Sequence, residues 1–170
     1  LKLAGLLKTT GVTLTALRLS ASDEVFVAVQ GAVDWQKTLK ADAELQWQNF
    51  PWHSVLAQDD IPVQLQTANG QVSYVAGEYQ GLLNGDLTGP AGDFTLATVF
   101  SGNQQQVELS ELVIEAGQGR LFGTASVGFA EGVDWLADIQ VSKLNPAYWL
   151  QELPGELAGK IHSQGQLREG

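Results

Sequence analysis

Hydrophobic and polar residues alternate along most of this chain with a period of two residues. The stretch 25–35 is the clearest case, because one set of positions is apolar or glycine while Gln30 and Asp34 belong to the other set. Similar alternation returns at 41–47, 61–65, 94–100, 121–129 and 133–141. A period of two is typical of β-strands with one buried and one solvated face, so the pattern predicts an all-β protein.

Turn signals rich in glycine, asparagine and aspartate separate these stretches. We predict turns at 22–24, Asn69-Gly70, Asn84-Gly85, 89–92, Gly102-Asn103 and 117–119. Helical signals are few. Asn145 and Pro146 suit the cap and the first position of a short helix that Pro154 ends, and a weaker copy begins at Pro51. We expect at most one or two very short helical turns, lying across the end of the sheet.

Segments of the chain resemble one another. Val12-Thr-Leu-Thr-Ala-Leu-Arg-Leu19 is similar to Val107-Glu-Leu-Ser-Glu-Leu-Val-Ile114, and Val33-Asp34-Trp35 recurs as Val133-Asp134-Trp135. These matches predict an internal repeat over about 12–56 and 107–153 within a single repeat-built β domain.

Composition and charge exclude several classes of function. The 170 residues are 44% hydrophobic, with no cysteine and a net charge of -10, so disulfides and thiol chemistry are excluded. A strongly acidic chain lacks the basic surface that nucleic acids require, and we expect no nucleic-acid partner. The chain begins with Leu1, and we interpret it as a fragment of a longer protein.

No constellation of residues predicts catalysis or a cofactor. His53, Ser54, Asp59 and Asp60 are the residue types of a hydrolase triad, but neighbours in sequence point apart and no nucleophile elbow precedes them. The two histidines lack the spacing of a metal site. We therefore expect no enzyme activity, no metal and no cofactor.

The segment Leu144-Asn-Pro-Ala-Tyr-Trp-Leu-Gln-Glu-Leu-Pro-Gly-Glu-Leu-Ala-Gly-Lys-Ile161, together with the order of strands and turns before it, resembles the TamB family of translocation and assembly module proteins. The resemblance implies an AsmA-like, bridge-like lipid transfer protein of Gram-negative bacteria. It implies an elongated, curled sheet (a β-taco or half-pipe) with an apolar inner face, in the periplasm and anchored in the inner membrane. It also implies a role in phospholipid transport to the outer membrane and in assembly of outer-membrane proteins and autotransporters, with a TamA-like barrel as partner.

A lipid groove needs a long apolar surface rather than a few polar contacts, because each shielded methylene contributes about 0.8 kcal/mol. The expected partners of that surface are phospholipid acyl chains. Two alternatives stay open: a scaffold that binds strands of outer-membrane protein clients by β-augmentation, and a structural β-sandwich or adhesin module. The candidate groove residues are Val27, Val29, Trp35, Leu45, Trp47, Val63, Leu65, Phe94, Leu96, Leu109, Leu121, Val127, Phe129, Val133, Trp135, Ile139 and Val141.

Overall fold

A computed structural model describes residues 1–51, 63–130 and 132–168, and these residues confirm the all-β prediction. The strands are β1 (Lys2–Lys8), β2 (Gly11–Ser22), β3 (Val25–Asp34), β4 (Lys40–Gln48), β5 (Gln64–Val75), β6 (Glu78–Gly89), β7 (Gly92–Gly102), β8 (Gln106–Ala116), β9 (Gly119–Gly128), β10 (Val133–Leu144) and β11 (Leu157–Leu167). One 3-10 helix, Pro146–Tyr148, follows β10. The weaker helical prediction after Pro51 lies outside the described residues.

All eleven strands form one sheet in which each strand pairs antiparallel with the next along the chain. Strands β1 and β11 end the order and are not hydrogen-bonded to each other, so the sheet does not close into a barrel. The chain exposes 11466 Å², whereas a compact monomer of this mass exposes about 8,100 Å². The described residues therefore form a single open layer, which differs from the β-sandwich alternative.

The turns lie along two rims of the sheet. The rim formed by the turns after β2, β6, β8 and β10 carries the 3-10 helix, and we call it the capped rim. The rim formed by the turns after β1, β3, β5, β7 and β9 is the uncapped rim. Because the strands run from one rim to the other, a groove on the sheet face would run across the strands.

Four strands, β2, β5, β8 and β10, carry a β-bulge that changes which alternate residues share a face. In β2 the register shifts between Leu14 and Leu17, and β8 has the same shift between Leu109 and Leu112. In β5 it shifts between Leu65 and Thr67. A bulge places one extra residue in a strand and increases its local twist and bend. The apolar residues therefore stay on one face only because their spacing changes from two to three at the bulge.

Glycines allow the sheet to bend sharply. A Cβ atom on Gly31 would overlap the carbonyl oxygen of Asp42, and one on Gly123 would overlap that of Asp138. Glycine is the residue that permits such close backbone approach, and bulges with glycines are how sheets acquire curvature. We conclude that the sheet curls, as predicted.

Two predicted turns, Asn69-Gly70 and Asn84-Gly85, are wrong. Both lie in the middle of strands, where Asn69 pairs with Asn84 across β5 and β6. Gly70 and Gly85 occupy strand positions on the same face as their apolar neighbours. These glycines therefore contribute to the curvature of the sheet and do not form turns. The true turn between these strands is at Ala76 and Gly77, which both have positive φ.

The close approach at Gly123 predicts a stability effect. Gly123→Ala should lower the free energy of unfolding by about 1–3 kcal/mol, because the added methyl group forces β9 away from β10. Gly155→Ala is the matched control, since nothing lies within 4 Å of the Cβ it would add. Urea unfolding of both variants measures the difference, and equal stabilities would contradict the account of the bend.

The well-packed apolar cluster of the described residues lies at the capped rim. Phe94, Ala116, Val141 and Leu144 are buried there. The ring of Phe94 meets Trp149 edge-on at 5.3 Å between centroids, and Tyr148 at 6.3 Å. The side chain of Asn145 accepts a hydrogen bond from the amide of Ala147 at 3.0 Å, which confirms its predicted capping role. The 3-10 helix therefore acts as a cap over one end of the sheet.

The segments that match in sequence do not all match in structure. The 12–19 and 107–114 segments form β2 and β8 with the bulge at the same place, as their sequences suggest. The two Val-Asp-Trp segments are not equivalent, because Trp35 follows the end of β3 whereas Trp135 lies within β10. The repeat as a unit of the chain stays a prediction.

Candidate functional site: an open apolar sheet face

One face of the sheet is apolar from β1 to β11. Its side chains are assigned by register, because directly paired residues on neighbouring strands point to the same side. This apolar face consists of Leu3, Leu7, Val12, Leu14, Leu17, Leu19, Val27, Val29, Val33, Ala41, Ala43, Leu45, Trp47, Leu65, Ala68, Val72, Tyr74, Tyr79, Leu83, Leu87, Phe94, Leu96, Thr98, Phe100, Val107, Leu109, Leu112, Ile114, Ala116, Leu121, Ala125, Val127, Val133, Trp135, Ala137, Ile139, Val141, Ile161, Ser163 and Leu167, with glycines between them. Eleven strands at a spacing of about 4.8 Å give this face a length of about 50 Å.

Charged residues of the strands point to the other side, which we call the polar face. Register places Asp42 and Glu44 of β4 opposite Ser73 and Gln71 of β5, away from the apolar residues. The same holds for the other charged residues paired in the described strands, namely Lys2, Lys8, Arg18, Asp34, Lys40, Glu78, Asp86, Asp93, Glu108, Glu111, Glu115, Arg120, Asp134, Asp138, Lys160 and His162. Lys143 lies in the bulge of β10. A ligand on the apolar face therefore meets no ionisable carboxylate or ammonium group within the described strands.

The apolar face is half-buried although none of the described residues forms a second layer over it away from the cap. Strand β4 alternates half-buried residues such as Ala43 and Leu45 with exposed ones such as Asp42 and Glu44. A flat open sheet would expose both faces to a similar degree, so this difference indicates that the sheet curls toward the apolar face. At the ends of the sheet the shielding is lost, and Leu7 and Ile161 are 75% and 52% exposed.

The structure places most of the predicted groove residues on this one face. Val27, Val29, Leu45, Trp47, Leu65, Phe94, Leu96, Leu109, Leu121, Val127, Val133, Trp135, Ile139 and Val141 all belong to it. Val63 precedes β5 and packs against the cluster at the capped rim. Trp35 and Phe129 lie outside the strands, in turns of the uncapped rim, and are 44% and 50% exposed. In the sequence, the alternation of apolar and polar residues continues past the ends of β3 and β9 to Trp35 and Phe129. These two residues were therefore predicted to lie on the apolar face.

Sequence reasoning missed the residues that follow a bulge. Leu17 and Leu112 belong to the apolar face, but they break the period of two that Leu14 and Leu109 set. Leu83 was missed because Asn84-Gly85 was interpreted as a turn. The sequence does contain a signal for these bulges, namely two apolar residues three positions apart inside an otherwise alternating run. A bulge produces that spacing.

The polar face is held by hydrogen bonds between side chains of neighbouring strands. The hydroxyl of Ser73 donates to Asp42 at 2.8 Å, and the hydroxyl of Thr88 donates to Asp93 at 2.6 Å. Arg120 forms an ion pair with Glu115 at 3.6 Å. The surface depressions on this side are lined mainly by such polar side chains, as in a depression of about 380 Å³ next to Ser73. These contacts fit a solvated outer surface.

The pair His162 and Asp138 on the polar face gives a titration prediction. His162 Nδ1 lies 2.7 Å from Asp138 Oδ1, and this hydrogen bond and the carboxylate charge raise the pKa of His162 above 6.5. Because the folded pKa is raised, the pair stabilises the fold fully below pH 6.5 and loses that contribution as pH rises through the folded pKa. Asp138→Asn should return the pKa of His162 toward its ordinary value, measured from the ring proton shifts by NMR. An unchanged pKa in the variant would contradict the pairing.

The described residues form neither a metal site nor a hydrolase triad. No group of three or more His, Asp or Glu side chains able to hold a metal ion occurs within the described residues. The triad residue types His53, Ser54, Asp59 and Asp60 lie outside those residues. Among the helices of the described chain, none has the length and apolar character needed to cross a membrane. What the described sheet offers a ligand is a long surface of aliphatic and aromatic side chains.

Comparison with known proteins gives a match to one family model and matches to curated proteins. Residues 1–170 match the model of the TamB N-terminal domain family. The translocation and assembly module subunit TamB of Haemophilus influenzae is 27% identical to this chain over 134 residues, which cover 65% of this chain and 10% of that protein. The match thus spans about a tenth of the length of the curated relative. No solved structure matches the chain.

Proposed function

The chain belongs to the TamB family, and we propose that its apolar face is a segment of a conduit that carries phospholipid between the inner and outer membranes. In this proposal the acyl chains lie on the apolar face and the headgroups remain in water. The chain then occupies the periplasm as part of a protein anchored in the inner membrane, and it catalyses no reaction.

One observation carries the proposal, namely a mainly apolar surface that crosses eleven strands and that no layer of described residues covers away from the cap. Soluble proteins rarely leave apolar patches of more than a few hundred Å² uncovered, and larger ones mark binding sites. Each acyl methylene moved from water to this surface contributes about 0.8 kcal/mol, so affinity grows with contact length. A smooth apolar surface provides that affinity without fixing a ligand in one position, which suits transport along a groove.

The wider role follows from the family. We propose that the full-length protein acts with a TamA-like outer-membrane barrel and supports assembly of outer-membrane proteins and autotransporters. The Haemophilus influenzae relative is named as a subunit of a translocation and assembly module, which supports a partner of this kind.

A competition experiment tests the acyl-chain proposal. The purified full-length protein is given a phospholipid with a fluorescent label on one acyl chain, followed by an excess of unlabelled competitor. A free fatty acid and an unlabelled phospholipid should both displace the probe, whereas glycerophosphate should not. Displacement by glycerophosphate alone would contradict binding through the apolar face.

A further inference from the structure

We propose that the indole N–H of Trp47 donates a hydrogen bond to an ester carbonyl of the phospholipid bound on the apolar face. The inference rests on the proposed function, because it assigns one contact to the same ligand on the same face. It adds a polar contact to a mainly apolar surface, and it makes Trp47 a residue that distinguishes ester-linked from ether-linked lipids.

Trp47 lies on the apolar face, near the end of β4 that leads to the capped rim. It pairs with Val27 of β3 on one side and with Ala68 of β5 on the other. The next position in the same row is Gly85 of β6. Because pairing fixes the side to which a strand residue points, the indole belongs to the surface that the proposed lipid occupies.

The indole N–H of Trp47 is shielded from solvent and has no hydrogen-bond acceptor among the described residues. Within the part of the chain that the structure describes, it is the one buried side-chain nitrogen or oxygen without a partner. A shielded N–H without an acceptor is unfavourable, because it has lost its hydrogen bond to water and gained none in the protein. Such groups are rare in folded proteins. A ligand that supplies the acceptor accounts for this one on a binding surface.

Two other tryptophans have their N–H groups satisfied by the protein. Trp135, also on the apolar face, donates to the hydroxyl of Ser163 at 3.2 Å. Trp35 donates to the carbonyl oxygen of Thr9 at 3.0 Å. A tryptophan of this protein therefore reaches an acceptor where a neighbouring strand or turn offers one. Trp47 differs, because the two residues paired with it carry no polar side chain.

The acceptor has to suit a surface of hydrocarbon side chains. A charged phosphate would lose its water there, which is costly, whereas an ester carbonyl is an uncharged acceptor. The ester is also joined covalently to the acyl chain, so a chain that lies on the face brings its carbonyl to the same surface. Tryptophan suits this boundary, because its ring is apolar and its N–H is a donor.

The lipid reaches the N–H through a change in the rotamer of Trp47. The ring is half-buried, and the ring of Phe50 meets it edge-on at 5.5 Å between centroids. Turning the indole outward breaks no hydrogen bond to the described residues, since its N–H has none. The paired positions on the next two strands are the small residues Ala68 and Gly85. The bound lipid thus adds a hydrogen bond without removing one from the protein.

The test uses the full-length purified protein and two photoreactive phospholipids, added together at equal concentration. Both carry a diazirine on a chain close to the glycerol, but one has ester-linked chains and the other has ether-linked chains of the same length. Mass spectrometry maps the labelled positions and distinguishes the two products. We expect the ester-linked probe to label β4 and β5 about fivefold more, which corresponds to about 1 kcal/mol, the contribution of one hydrogen bond. Labelling of β9 and β10 should show no such preference.

Variants of Trp47 separate the hydrogen bond from packing. Trp47→Phe should abolish the preference for the ester-linked probe at β4 and β5, while both probes continue to label these strands. Replacement of Trp47 by 3-benzothienylalanine, which keeps the shape of the ring but has sulfur in place of the N–H, should have the same effect. Trp135→Phe is the matched control. It should keep the preference at β4 and β5, because the N–H that it removes already has a partner in Ser163.

The possible outcomes distinguish the contact from the conduit. Equal labelling of β4 and β5 by the two probes in the unaltered protein would overturn the hydrogen bond and leave the proposed function standing. A preference that persists in both variants of Trp47 would overturn the role of this residue. Absence of both probes from the apolar face would overturn the proposed function and the inference with it.

Discussion

Leu96→Asp is expected to reduce the labelling of β7 and β8 by bound phospholipid in the full-length protein at least tenfold while the sheet stays folded. Leu96 lies on the apolar face of β7, between Gly85 and Ile114 on the neighbouring strands. A carboxylate facing hydrocarbon costs about 3 kcal/mol, and about 1.4 kcal/mol corresponds to a tenfold change in binding. Because Leu96 is only half-buried and no layer of described residues covers it, the carboxylate of the lipid-free variant remains in contact with water.

Ala97→Asp is the matched control for this prediction. Ala97 is the next residue of the same strand and points to the polar face, where it pairs with Asn84 and Val113. The two variants therefore place the same charge on opposite faces at almost the same position. Labelling of β7 and β8 by a phospholipid with a photoreactive acyl chain, mapped by mass spectrometry, and circular dichroism are measured for both. Unfolding of Leu96→Asp but not of Ala97→Asp would indicate a closed core, and equal labelling in both would contradict an apolar groove.

Phe94→Ala is expected to have the largest effect on stability, lowering the free energy of unfolding by about 3–5 kcal/mol. Phe94 is 5% exposed and lies under Tyr148 and Trp149, so the truncation leaves a cavity below the cap. Urea unfolding followed by tryptophan fluorescence measures the loss.

Phe122→Ala controls for the removal of a phenyl ring. Phe122 lies on the polar face of β9 and is 40% exposed, with Arg120 5.5 Å from its ring centre. Because that ring fills no cavity, its loss should cost less than about 1 kcal/mol. Similar costs for the two variants would contradict a packed cap at one rim of an otherwise open sheet.

Much of the fold was predictable from the sequence, because the alternation of apolar and polar residues in a strand depends only on residues close together in the chain. Alternation identified the apolar side of β3, β4, β7, β9 and β10, and with it most of the candidate groove. The cap at Asn145 and Pro146 was equally clear, since the side-chain amide of Asn145 and the fixed φ of proline act within a few residues.

What could not be predicted depends on contacts between strands. The Asn-Gly pairs at 69–70 and 84–85 have the composition of hairpin turns, yet they face each other across two long strands. Their local preference was overridden by register, because a turn at either pair would interrupt the apolar face. The bulge at Leu14 and Leu17 is also a property of two strands.

The most direct test of the account is a photo-crosslinking amino acid at Val127 of the full-length protein, in cells grown with radiolabelled phosphate. Val127 lies on the apolar face between Val107 and Trp135, and neighbouring Ser126 points to the polar face. The account predicts phosphate label on the protein after ultraviolet exposure with the probe at Val127, and no label with the probe at Ser126. Crosslinks to other proteins at Val127 without lipid label, or equal label at both positions, would contradict an apolar face that holds phospholipid.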